Sequence, residues 1–225
     1  MIEATKDFEI EIDKDEVYRY LGYRNGHRPN STISSVVDEE IDEAYELIQP
    51  WSCYHIMNIK RIRQPRIFLE DGLTMTSTVL SRILYPCHRI AIFLTTIGQK
   101  LEDRVAQLMD EEQMLRAMVL DAAGSEAAEK TVYHLQEKIR QIAAAEGAEI
   151  TLRYSPGYCD WDITQQRVLF EAMDSTPLTL NLTEECLMMP RKSISGVIGL
   201  GLFEKRRYKP SPCRLCTMVD CQIRR

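Results

Sequence analysis

Residues Leu152–Asp162, "LRYSPGYCDWD", bring an arginine, a Pro-Gly step, two tyrosines, a tryptophan and a cysteine into one short stretch. Pro156-Gly157 favours a tight turn with glycine at positive φ, which leaves nearby backbone amides open to a ligand. Arg153 offers a planar fork that matches a carboxylate. Tyr154, Tyr158 and Trp161 can present aromatic faces to a purine ring or a cation. Together these groups suit a ligand with a carboxylate, an aromatic base and a positive centre. A packed turn with a surface ion pair would use the same residues.

A second set lies near the C-terminus, where "PCRLCTMVDC" spaces Cys213, Cys216 and Cys221 as C-x2-C-x4-C. Three thiolates this close in sequence can share a zinc ion or an iron-sulfur cluster; a tail with thiols and no metal would carry the same residues. Cys87, His88, Cys159 or a substrate atom could complete the set, and the spacing does not choose among them. His27, His55, His88 and His134 lack the i, i+4 spacing of a helical metal pair and read as surface or packed residues.

The elements that must position these residues follow from periodicity. Asp15–Tyr23 reads as a short helix with acids at its start. From Ser34, Val37, Ile41, Ala44, Tyr45 and Ile48 recur at helical spacing until Pro50 ends the run. Tyr54–Ile62 reads as a strand and His88–Gly98 as a buried strand closed by glycine. Helices are expected over Gln99–Met109 and Glu112–Ala145. Gly124, inside the second, marks a kink or a close approach of something to the backbone. "EITLRY", Glu149–Tyr154, reads as a strand leading into the arginine, and Asp162 with Gln165 as an acid-capped helix start. Leu178, Leu180 and Leu182 alternate as a half-buried strand. Ser193–Phe203 is a further strand, expected to pair with Leu187–Met189 across "PRK".

The whole chain has 225 residues, of which 44% are hydrophobic and 28% charged, a balance that argues for a folded protein. A net charge of -6 disfavours nucleic acid as the main partner. No secretory signal is visible, and no apolar run reaches the roughly 20 residues of a membrane helix, so a cytoplasmic protein without a membrane partner is expected. An odd set of seven cysteines in such a chain points to reduced thiols or metal ligands.

"RYSPGY", the helix with Gln165 and Phe170, and "LNLTEECLMMPRKSISG" together resemble the activation domain of vitamin B12-dependent methionine synthase and freestanding proteins similar to it. Arg153, Gly157, Tyr158, Leu182, Thr183, Glu184, Met189, Pro190, Ser193, Ser195 and Gly196 follow that family's pattern in order. "TTIGQKLEDRV" and "LDAAGSEAAEKTV" look like the freestanding members. The resemblance implies an α+β fold: a twisted, mainly antiparallel sheet with flanking helices, here over residues 1–208, followed by the Cys-bearing tail 209–225. It also implies S-adenosylmethionine binding and reductive remethylation of a cob(II)alamin. Arg153 would hold the methionine carboxylate, groups around Ser155 and Gly157 would meet the ligand, and Tyr158 would line its pocket. Glu129 matches a family glutamate near the cationic end of the ligand, and Tyr208 a tyrosine near the adenosine. The family's N-terminal aspartate has no match assigned.

No Gly-rich dinucleotide loop and no corrinoid-carrier Asp-x-His-x-x-Gly signature is present. The cobalamin is therefore expected on a partner, a corrinoid-binding protein or methionine synthase core. A flavodoxin or ferredoxin would supply electrons, a need that favours the cluster over zinc at the tail. A corrinoid protein of other one-carbon metabolism, or a metal-stapled interaction module, are the alternatives.

Overall fold

The computed structural model describes residues 2–6, 9–23, 27–173 and 179–202. In chain order the elements are β1 (Ile2–Thr5), α1 (Lys14–Tyr20), α2 (Ser31–Leu47), β2 (Trp51–Arg63), β3 (Arg66–Leu69), β4 (Thr74–Thr76) and α3 (Thr78–Ile83). They continue with β5 (Arg89–Thr96), α4 (Lys100–Asp110), α5 (Met114–Ala145), β6 (Glu149–Ile150), α6 (Gln166–Glu171), β7 (Asn181–Leu182), β8 (Met188–Met189) and β9 (Ser193–Gly201). The sheet runs β4-β3-β2-β5-β9-β6 with antiparallel neighbours, and β1 lies beside the first half of β2. The expected α+β fold with a mainly antiparallel sheet is what forms.

Helix starts follow local chemistry. Asp13 accepts from the Asp15 amide ahead of α1, Asn30 from Ile33 ahead of α2, and Ser77 from Leu80 ahead of α3; each oxygen satisfies an amide that the first turn leaves unpaired. The central strand β5 is covered on both faces. Ile90, Ile92 and Leu94 join Met57, Leu80, Trp161 and Leu169 in one core, while Ala91 and Phe93 join Val132, Leu135 and Ile139 of α5 in another. A third core is helical, with Val17, Val37, Ile41, Leu101, Leu108, Leu120 and Ala123 at its centre.

Gly124 marks close approach, not a kink. α5 is continuous past it, and a Cβ there would lie 2.6 Å from the Cδ2 of Leu101 on α4. Two strand expectations need correction. Ser193–Gly201 does not pair with Leu187–Met189: β9 lies between β5 and β6, and Met188–Met189 pairs back onto Asn181–Leu182. The short β7-β8 hairpin uses Thr183, whose amide donates to the Leu187 carbonyl at 2.9 Å and whose hydroxyl accepts from the Leu187 amide at 3.2 Å. "EITLRY" is regular only over Glu149–Ile150; Tyr154 then returns to β9 through a single bridge to Val197. β1, β3, β4 and α3 had no counterpart in the reading of the sequence.

Candidate functional site

Leaving β6, the chain runs on beside β9, through Thr151 on Gly199 and Tyr154 on Val197, and turns outward as the loop that carries Arg153–Tyr158. The approach is tight at Gly196: a Cβ there would sit 2.7 Å from the Tyr154 carbonyl and 2.9 Å from the Ser155 hydroxyl. Gly157 adopts φ +91, as the turn requires. Its amide donates to the Trp161 carbonyl at 2.7 Å, and the Trp161 amide donates to the Tyr158 carbonyl at 3.0 Å. These two amides therefore close the loop on itself and do not stand open to a ligand.

The aromatic residues divide into two roles. Tyr154 and Trp161 stack at 5.5 Å with their planes 8° apart, buried in the core, and the Tyr154 hydroxyl donates to the Tyr158 carbonyl at 2.8 Å. They brace the loop and offer no face to a ligand, contrary to the expectation for them. Tyr158 is half-exposed and remains available. Asp160 anchors the far side of the loop, accepting from the Ser77 hydroxyl at 2.7 Å and from the Thr78 and Val79 amides at 2.6 and 3.2 Å. Burial works to raise its carboxyl, but the hydrogen bonds from Ser77, Val79 and Thr78 outweigh it and hold the group below the ordinary aspartate range.

Arg153 points from this loop toward α5, where its guanidinium donates to the Glu129 carboxylate. Both side chains keep contact with solvent, at 31% and 43% exposure, so the pair can open to a third charged group. α1 packs beside the same stretch of α5. Burial pushes the Tyr20 hydroxyl up, and the charge of Glu129 adds to it. Glu126, one turn before Glu129, is also raised by burial; Lys130 at 3.5 Å opposes this, and Glu16 and Asp13 of the α1 start add negative charge. On the other flank, Lys192 reaches Asp121 at 2.8 Å and Ser125 at 2.7 Å. Charged side chains thus line the stretch of α5 from Asp121 to Lys130, with the Arg153 loop beside it.

A family model described as "Vitamin B12 dependent methionine synthase, activation domain" matches residues 81–205, more than half of the chain. The chain belongs to this family. The crystal structure of the MetH reactivation domain bound to AdoHcy shares its fold, with a TM-score of 0.66 over 91% of this chain and 80% of that one at 12% identity. No curated protein sequence matches the chain.

Within this activation-domain chain, the motif residues separate into a partly exposed group and a buried, supporting group. Arg153 and Glu129 meet, with Ser155, Gly157 and Tyr158 on the adjoining loop. Ser195, by contrast, donates to the Gln166 side chain at 2.8 Å, and Gln166 donates to the Cys186 carbonyl at 2.9 Å, a buried chain that ties α6 to β9. Ser193 bonds Thr96 at 2.9 Å and the Pro190 carbonyl at 2.7 Å. Asp13, Glu16, Tyr20 and Lys192 were not singled out from the sequence; only the packing of α1 and of the β8-β9 connection onto α5 reveals them.

Tyr208, Cys213, Cys216 and Cys221 lie outside the described residues. Among the described residues no three His, Cys, Asp or Glu side chains gather as a metal-binding group. Cys53, Cys87 and Cys186 are buried, and burial pushes the Cys87 thiol up to about 12. No helix among the described residues is long and apolar enough to cross a membrane.

Proposed function

We propose that this chain binds S-adenosylmethionine and supports reductive remethylation of a cob(II)alamin held by a partner, most simply a methionine synthase without its own activation domain. The observation that carries the reading is the meeting of Arg153 and Glu129, both partly exposed, where the loop after β6 faces α5. A zwitterionic amino-acid ligand needs one cation and one anion a few ångströms apart, and this pair supplies both. The neighbour's AdoHcy and the family membership support the same ligand class.

On this reading Arg153 leaves Glu129 to take the ligand carboxylate, and Glu129 turns to the cationic end. Ser155 and Tyr158 line the ligand, and Tyr208 meets the adenosine. S-adenosylmethionine supplies an electrophilic methyl, and the partner's corrinoid the reduced cobalt that receives it. The chain's own task is to orient the ligand, which lowers the barrier through proximity and needs no general acid or base. Electrons come from a flavodoxin or ferredoxin, and Cys213, Cys216 and Cys221 hold an iron-sulfur cluster or zinc.

Calorimetric titration with S-adenosylmethionine tests the reading. Saturable one-site binding is expected; no binding by the wild-type chain, or undiminished binding by Arg153→Ala, overturns it.

A further inference from the structure

The hairpin formed by β2 and β3 has two unlike faces. Ile62, Ile67 and Leu69 point inward, with Ile67 and Leu69 almost fully buried. The outer face is set by register: Arg63 stands opposite Arg66, Arg61 opposite Phe68, and across β3 and β4, Arg66 opposite Thr76 and Phe68 opposite Thr74. Directly opposed residues of antiparallel strands share a face, and so do residues two apart on one strand. Arg61, Arg63 and Arg66 thus stand on one outer face, with Cα positions within an area of about 7 by 5 Å from strand rise and spacing. All are exposed, and Arg61 lies over the Phe68 ring at 4.4 Å, which holds its guanidinium in place.

Two features set this face apart from an ordinary solvated one. Among the described residues no ion pair involves Lys60, Arg61, Arg63 or Arg66, although acids outnumber bases in the chain as a whole, 34 to 28. The Arg63–Arg66 pair is also a like-charge cross-strand pair, an arrangement that destabilises a hairpin. Unpaired cations held face to face at a cost to the fold are explained by an anion that the isolated chain lacks.

We infer that the Arg61–Arg63–Arg66 face of the β2-β3 hairpin is a docking surface for an acidic protein. Guanidinium forks match carboxylates in bidentate geometry. The patch is too small to follow a nucleic-acid strand, and phosphates continuing past it would meet a chain of net charge -6. β3 lies four strand steps from β6, at the other side of the sheet from the Arg153 loop, or about 20 Å at ordinary strand spacing. The face is separate from the Arg153–Glu129 pair, so the inference does not depend on what that pair binds.

Fluorescence anisotropy with a labelled short polyglutamate peptide, on the full chain at low salt, tests it. Binding is expected to weaken by about tenfold or more when Arg61, Arg63 and Arg66 are all replaced by Gln, and much less when Lys205, Arg206 and Arg207 are replaced by Gln. Arg66→Gln alone, which removes the like-charge pair and leaves Arg61 over Phe68, should melt no lower than the wild-type chain. Undiminished peptide binding by the triple hairpin variant, loss confined to the 205–207 variant, or a lower melting temperature of Arg66→Gln overturns the inference. Tighter binding of a single-stranded oligonucleotide of equal charge overturns the assignment to a protein partner.

Discussion

The guanidinium of Arg153 and the carboxylate of Glu129 close on one another between the loop after β6 and the outer surface of α5. A pair this exposed contributes only about 0–1 kcal/mol to stability. Arg153→Ala should therefore leave the denaturation midpoint almost unchanged and lower affinity for S-adenosylmethionine by about tenfold or more, as loss of a charge-assisted contact does. Calorimetry and urea denaturation on the same variant separate the outcomes: a large loss of stability without loss of affinity would make the pair structural.

Gly196 admits the close approach of the chain at Tyr154 and Ser155. With the Tyr154 carbonyl 2.7 Å from a prospective Cβ, a backbone atom would have to move. Gly196→Ala should cost about 1–3 kcal/mol in urea denaturation, the range for overpacking. It should also weaken ligand binding by displacing Ser155. A variant as stable as the wild-type chain would show that the loop shifts freely.

Asp160 ties the same loop to the start of α3, and its carboxyl is held below the ordinary value of 3.8. A depressed carboxylate adds stability that is complete above its unfolded value and fades as pH falls through the lower folded value. Asp160→Asn should cost about 1–2 kcal/mol at neutral pH, in the range for hydrogen bonds to a charged acceptor. The gap between variant and wild type should narrow only below the ordinary value. Paired urea titrations from neutral to acid pH check this; a gap independent of pH would assign the effect to shape instead of charge.

Cys87 should resist alkylation in the native state. With its thiol pushed up to about 12 by burial, the thiolate fraction near pH 8 is on the order of 10⁻⁴. Peptide-resolved labelling with iodoacetamide should find Cys159, the partly accessible thiol among the described cysteines, modified well before Cys53, Cys87 and Cys186. Early modification of Cys87 would mean that the core opens there.

The long amphipathic helices and the buried strand β5 were legible because each repeats its period over several turns or pairs. α2, α4 and α5 form within a few residues of where their stripes begin and end. The pairing of β9 was misread because "PRK" suggested a local hairpin, whereas the true neighbour β5 lies about a hundred residues earlier and is chosen by burial on both faces. β3, β4 and α3 are too short to display a period. At the site, Arg153 and the Gly157 turn carry their chemistry in their residue types. Tyr154 and Trp161 do not: an aromatic side chain looks the same in sequence whether it faces a ligand or stacks in the core.

α5 runs for 32 residues without a break, a rod of about 48 Å. Its first half packs into the helical core, and its second half covers the sheet. Neither core is complete without it, so no cut within the helix yields two halves able to fold alone. Loss of either core should carry the other with it, and heat or denaturant should melt the protein as one cooperative unit.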